Sequence, residues 1–385
     1  MIKFPKILLV TVLVYLVGGC NNFAIKQSDK TVSPTNWTHF GGSTSRSGAH
    51  QIGVQAPLEN IWRYKGTSAI GSTLLAIDGV LYLTTMDGRL DAVNIETGKK
   101  LKRKKFSELI ETTCSYYDDD LFVAYRYGKE TLGRLDLEKG KFIWKKSAGD
   151  IASEPLVKDD AVFVAALYKH IDKFHAATGK KIWSFDTKGQ LHASPALAGN
   201  TLVAGCDKGF IYGINAESGT KLWSVKTGAA VFATPVISNE TVFVSSTDSL
   251  IYAISLEDGD IQWKYKARAP VYQTAGTNGK VVIVGASNGE LYCLDAGSGK
   301  LRWLFRAGSV ISTMPVICPK IVYIGSLDKN YYAVDLSNGN LLWSYKTKGR
   351  IRTSPIVWGD YLIGASEDNL VYAFKAKDKI SSLPE

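Results

Sequence analysis

Histidine, cysteine and carboxylate side chains are where chemistry would start, and their spacing in this chain argues against most of it. The five histidines are His39, His50, His170, His175 and His192, and none falls in an H-x-x-x-H or H-E-x-x-H pattern. His170 and His175 are five apart in a region of β pattern, which puts them on opposite faces, so zinc is not expected. His192 has the chemistry to titrate near neutral pH, but no Ser, Cys or carboxylate is spaced to make it part of a triad. The five cysteines, Cys20, Cys114, Cys206, Cys293 and Cys318, include no adjacent pair and no C-x-x-C. The last four read as buried, unpaired small hydrophobes, with no metal-binding spacing. Acidic and amide side chains cluster in hairpins such as Ser366-Glu367-Asp368-Asn369, where turn chemistry accounts for them. No glycine-rich loop precedes a helix pattern. The expectation is a protein without catalytic residues and without a metal.

Cys20 stands apart. Lys3 and Lys6 precede an apolar stretch, Ile7 to Gly19, whose 13 residues fall short of the ~20 needed to cross a bilayer and suit a signal peptide. The stretch ends in Val17-Gly18-Gly19-Cys20, which resembles the bacterial lipobox, where the leader is cut before a cysteine whose thiol carries diacylglycerol. The expected layout is a signal peptide over 1–19 and a polar, flexible, lipidated tether over 20–36, with stable membrane attachment through several acyl chains. Asn21, in place of the Asp that retains lipoproteins in the inner membrane, leans towards the outer membrane.

The elements that would carry any site repeat every forty residues. Trp183, Trp223, Trp263, Trp303 and Trp343 are 40 apart, Trp144 precedes Trp183 by 39, and Trp62 shares the phase, with Lys102 at the intervening position. One unit, residues 191–223, holds four short apolar runs, around Ala193–Leu197, Leu202–Ala204, Phe210–Asn215 and Lys221–Val225. Between them lie glycine turns such as Asp207-Lys208-Gly209 and Glu217-Ser218-Gly219. Four antiparallel strands at that period make a propeller blade. Seven full units end at the tryptophan position. An eighth, from Ile351 through Val371-Tyr372-Ala373-Phe374, lacks its last strand, and Leu58–Lys65 with Trp62 supplies it from the other end. The fold class is therefore all-β: an eight-bladed β-propeller of four-stranded antiparallel blades over 58–377, with the N-terminal strand closing the last blade. A lead-in segment occupies 37–57 and a tail 378–385. Trp62, Trp144, Trp183, Trp223, Trp263, Trp303 and Trp343 are assigned to packing between blades, and Lys102 to an atypical junction.

The run Tyr332-Ala333-Val334-Asp335-Leu336-Ser337-Asn338-Gly339-Asn340-Leu341-Leu342-Trp343 resembles the tryptophan-docking repeat of the pyrroloquinoline-quinone (PQQ)-like propellers, and the likeness covers 58–374. Trp37-Thr38-His39-Phe40-Gly41-Gly42, with Arg46-Ser47-Gly48, is similar to the segment that often precedes such propellers. The resemblance implies two kinds of function. One is quinone-dependent alcohol oxidation, which in that family goes with an adjacent Cys-Cys pair, a bound calcium and large loops; this chain has no Cys-Cys pair, and its blades are nearly minimal. The other is a non-enzymatic lipoprotein scaffold of the BamB type, which docks on the barrel-assembly protein BamA. The lipobox, blade count and length favour the scaffold, with PQQ binding or an extracytoplasmic sensor as the alternative. No BamA-contacting motif can be matched to this sequence.

The formal charge is +10, or +8 without the leader lysines. The basic residues are dispersed apart from Lys99 to Lys105 (KKLKRKK), which reads as a solvated strand edge carrying gatekeeper charge. No nucleic-acid partner is expected of an exported, monomeric propeller facing the periplasm. Contact residues are sought at the mouth of the central channel, on the innermost strands, where the repeats align Gly71, Thr112, Ala152, His192, Phe232, Tyr272, Ser312 and Arg352. That column is diverse, which suits either solvent exposure or a contact surface rich in aromatic and Arg side chains. His192, Phe232, Tyr272 and Arg352 are the candidates.

Overall fold

The computed structural model describes residues 23–25, 36–106 and 114–377. The leader, Cys20, the rest of the tether, Thr112 and the 378–385 tail lie outside the described residues. The described chain forms eight four-stranded antiparallel sheets. Blades 1 to 7 span residues 75–105, 115–146, 156–186, 196–226, 236–266, 276–306 and 316–346. Blade 8 combines 356–376 with Leu58–Lys65.

Burial explains the strand sequences. In blade 4 the second strand, Thr201–Gly205, and the third, Phe210–Asn215, are buried along nearly their whole length. Both faces of each sheet lie against a neighbouring blade, so these strands read as continuous apolar runs rather than alternating ones. The outer strand, Lys221–Lys226, is mostly exposed. The inner strand is only Ala196–Ala198. Residues 193–195, expected to begin it, are instead part of a loop over 191–195. This corrects the assignment of the channel-mouth column: His192, Phe232, Tyr272 and Arg352 sit in the loops that lead into the inner strands. Near the axis eight blades converge, which leaves room for only two or three residues of ladder.

The ring closes as the strand count requires. Leu58–Lys65 pairs antiparallel with Leu370–Ala376, from Leu58 opposite Ala376 to Lys65 opposite Leu370. Every outer strand carries one extra residue immediately before the tryptophan position: Ile61, Leu101, Ile143, Ile182, Leu222, Gln262, Arg302 and Leu342. A bulge there bends the edge strand and discourages pairing with another sheet.

The tryptophans do more than fill a wedge. Each indole N–H donates to a carbonyl of the next blade: Trp62 to Ile95 (2.7 Å), Trp144 to Ala176 (2.8 Å), Trp183 to Ala216 (3.2 Å), and Trp223, Trp263, Trp303 and Trp343 to Leu256, Ala296, Leu336 and Leu58 (2.9 Å each). Except at Trp343, the ring lies on a glycine of that next blade. Gly219, at φ +74°, would bring a Cβ to 2.6 Å from Cδ2 of Trp183. The glycine of the repeat thus makes room for the preceding blade's tryptophan, not its own.

At the junction of blades 1 and 2, where Lys102 replaces tryptophan, the chain's own N-terminal segment takes the place. The Ile25 N–H donates to the Leu137 carbonyl at 2.9 Å, the bond an indole makes elsewhere. Gly140 lies under Phe23, so close that a Cβ on it would fall 2.7 Å from the Phe23 nitrogen. Phe23 and Ile25 are buried among Leu75, Ile77, Leu121 and Leu137. Residues 23–25 are therefore packed structure within the stretch expected to be a free tether. Two apolar side chains gain more from this vacant junction than from water.

Candidate functional site

The turns between second and third strands share one face of the ring with the loops into the inner strands. Met86 N bonds Ala69 O, Leu167 N bonds Asp150 O, Thr247 N bonds Ala230 O, and Glu367 N bonds Arg350 O. The remaining turns form the opposite face. The channel between the faces is open at one end and closed at the other.

The lead-in segment closes it. Inner strands have no neighbour on their axial edge, so their N–H and C=O groups need partners. Trp37 exchanges two backbone bonds with Ala76 of blade 1, and Thr38 O accepts from Tyr116 of blade 2. Thr44, Ser45, Ser47 and Gly48 carbonyls then accept from Leu197, Ile237, Thr277 and Ile317 of blades 4 to 7. In blade 3 the buried His39 serves instead, donating through Nε2 to Val157 O at 3.0 Å while Nδ1 accepts from Thr38. Burial, followed by the nearby Arg46 charge, lowers its pKa to about 3, so this histidine is neutral.

Under the channel lies a buried ion pair. Arg46 Nη1 is 2.6 Å from Glu154 Oε2, and the side chains are 0% and 2% exposed. Glu154 also accepts from the Phe40 N–H at 2.8 Å and from Ser115 Oγ at 3.2 Å. Arg46 also donates to Pro195 O and Phe40 O. Burial raises the Glu154 pKa despite the pull of Arg46, and lowers that of Arg46 despite Glu154. Glu154 occupies a repeat position filled by Ser194, Thr234 and Ser354 in other blades. There the hydroxyls serve blade contacts: Ser194 accepts from Glu154 N, and Ser354 from Met314 N.

The open mouth carries the sequence candidates. His192 meets Phe232 edge-on at 5.2 Å, and Phe232 stacks on Tyr272 at 6.2 Å and 15°. These rings form an arc over blades 4 to 6. Arg352, in blade 8, is set apart from them and donates to Glu367 at 2.6 Å, as does Arg350. Burial pushes the Glu367 carboxyl up, but the two guanidiniums prevail and hold it below its ordinary value. Among the lining positions, Ala152, Ser312, His192, Phe232 and Arg352 face a cavity of about 150 Å³ that ends on Phe40 and Glu154. Met86, Tyr127 and Tyr168 are exposed on the same face, as are Phe232 and Tyr272. Sequence reading missed this row because Met86, Tyr127 and Tyr168 belong to turns and have no common repeat position.

Among the described residues no three His, Cys, Asp or Glu side chains gather to hold a metal ion. Cys114, Cys206, Cys293 and Cys318 are buried and unpaired. Burial pushes the Cys293 and Cys318 thiols up to about 12, away from nucleophilic use. The channel cavity, about 150 Å³, is small for an organic cofactor such as a quinone. Small-molecule sites run to about 300–1,000 Å³, and the acid at the channel floor, Glu154, is committed to Arg46. A larger cavity, about 1040 Å³, lies on the opposite face between the lead-in segment and turns at Asn200, Glu240 and Asn278. It is wide and lined by turn residues, with no arc of rings comparable to that at the mouth.

A family model described as outer membrane protein assembly factor BamB matches residues 57–170 and 168–381. No curated protein matches the chain. Among solved structures, BamB from Moraxella catarrhalis is 16% identical, with a TM-score of 0.71 over 83% of this chain and 99% of that one. Quinohemoprotein alcohol dehydrogenase from Comamonas testosteroni is 12% identical, with a TM-score of 0.77 over 91% of this chain and 82% of that one. The computationally designed Ika8 protein is 17% identical, with a TM-score of 0.74 over 81% and 97%. At these identities the likenesses establish the propeller fold.

Proposed function

From the premise that this chain belongs to the family described as outer membrane protein assembly factor BamB, we propose that it is a non-enzymatic scaffold that binds a protein partner through the open face of its propeller. In this reading Cys20 carries the lipid, the protein faces the periplasm at the outer membrane, and the partner is a barrel-assembly protein of the BamA type. No cofactor takes part.

The observation that carries the reading is the row of exposed apolar and aromatic side chains, Met86, Tyr127, Tyr168, Phe232 and Tyr272, above a channel stopped by its own lead-in segment. Exposed aromatic side chains on a rigid frame are the usual anchors of protein interfaces. A stopped channel favours a surface function over a buried one.

The test is capture of the chain from detergent-solubilised membranes. The unmodified protein should bring down a barrel-assembly protein. A Phe232→Ala/Tyr272→Ala variant should bind it roughly 10–100-fold more weakly, as expected for two interface anchors. Stoichiometric binding of PQQ together with dye-linked alcohol oxidation would overturn the scaffold. Cys20→Ser should release the protein from membranes; retention would end the lipoprotein reading.

A further inference from the structure

The side of the ring at blades 1 and 2 carries a concentrated run of positive charge. The outer strands of blades 1 and 2, Lys100–Lys105 and Lys141–Lys146, lie on either side of the junction that receives residues 23–25. Lys99, Lys100, Lys102, Lys105, Lys141 and Lys146 are exposed, and no salt bridge among the described residues engages them. Between them project two bulge residues, Leu101 at 43% and Ile143 at 50% exposure. Lys104 is turned inward to the Gly140 carbonyl at 2.9 Å. The lysines on this edge that are paired, Lys139 with Asp136 and Lys145 with Glu130, leave a net excess of positive charge.

A second, independent observation says what lies beside this edge. Phe23 and Ile25 are fixed in the junction, and Cys20 is three residues from Phe23. Three extended residues reach about 11 Å at most. A lipid on Cys20 is therefore delivered next to the basic edge, and its acyl chains must enter a bilayer within that radius.

We propose that the outer edge of blades 1 and 2 is a docking surface for an anionic phospholipid bilayer, holding the propeller edge-on to the membrane. This rests on the lipidation of Cys20 in the preceding proposal. Lysines of this kind attract anionic headgroups, each worth roughly a fivefold gain in binding close to the surface. Leu101 and Ile143 enter the interface, as apolar residues do beside basic ones in interfacial segments. Edge-on docking leaves the mouth clear of the bilayer and open to its partner.

The lipid-bearing protein, reconstituted into vesicles of phosphatidylglycerol with phosphatidylcholine or of phosphatidylcholine alone, tests this by lysine acetylation. Lys100, Lys102, Lys105, Lys141 and Lys146 should react at least about fivefold more slowly on the anionic vesicles, with protection reduced in about 0.5 M NaCl. Lys264, on the outer strand of blade 5 across the ring, should react equally on both. Lys100→Glu/Lys102→Glu/Lys105→Glu should still float with vesicles but lose protection at Lys141 and Lys146. Equal labelling on the two lipids, or protection by an added acidic protein without lipid, overturns the proposal. Failure to float with either vesicle removes the lipid anchor, and this proposal with it; flotation without protection removes the edge alone.

Discussion

Replacing Arg46 with methionine should destabilise the propeller in a way that depends on pH. The variant keeps most of the side-chain volume and removes the charge, leaving Glu154 buried without its counter-ion at the floor of the channel. Breaking one side of a buried pair costs about 3–5 kcal/mol. With a urea m-value near 3 kcal/mol/M, the upper end for small proteins, the midpoint falls by ~1–1.7 M at neutral pH. Burial already holds the Glu154 pKa above its ordinary value, and loss of Arg46 raises it further. A carboxyl whose folded pKa exceeds its unfolded one favours the folded state when protonated, and that advantage is lost as pH rises through the folded pKa. The cost of Arg46→Met should therefore shrink as pH falls from 8 to 5, by at most ~1.4 kcal/mol per pH unit. His39 acts in the same direction: its pKa is lowered by burial first and by Arg46 second, so removing Arg46 eases its protonation. Urea unfolding of both proteins at pH 5, 6.5 and 8 measures the difference. A loss below about 1 kcal/mol, or one equal at all three pH values, would refute the buried-pair reasoning. Glu154→Gln is the companion: it strands Arg46 and removes the titrating carboxyl, so its cost should not shrink as pH falls over this range.

Three further outcomes follow from the junctions and the mouth. Gly219→Ala should cost more than about 2 kcal/mol, because its Cβ would sit 2.6 Å from the Trp183 ring at a positive φ. Gly199→Ala, also at positive φ but with nothing within 4 Å, should cost only ~1–2 kcal/mol; thermal or urea melts rank the two. Phe23→Ala should cost about 3–5 kcal/mol in the blade 1–2 region, read as faster amide exchange there than in blades 4 to 6. Tyr272→Ala, at a side chain 47% exposed, should leave the urea midpoint within about 0.5 kcal/mol of the parent while weakening partner capture.

The blade count and closure were legible because the repeat is rigid in both spacing and type. Seven tryptophans at one position, a lone strand at the start and a unit short of one strand at the end leave one way to complete the ring. The direction of the glycine–tryptophan relation was not legible, since the two residues adjoin in sequence while contacting across blades. Lys102 announced an odd junction, but Phe23 and Ile25, two apolar residues in a polar stretch, have no period to reveal that they fill it. Glu154 offered a usable signal: an acid in a column of small hydroxyl residues. Arg46 offered none, because the lead-in segment has no repeat to compare. The mouth column was found by alignment, yet placed on strands, because alternation cannot show where a two- or three-residue ladder begins near a crowded axis.

The pairing of Leu58 with Ala376 also sets a clock on biosynthesis. The first strand made belongs to the last sheet completed, and its partner leaves the ribosome more than 300 residues later. At about 5–20 residues per second this is an interval of some 15–60 s. Throughout it, Leu58–Lys65 has an unpaired backbone edge and the lead-in segment lacks the seven inner strands that will hold it. Any factor that escorts the nascent or exported chain must shield its beginning until its end arrives.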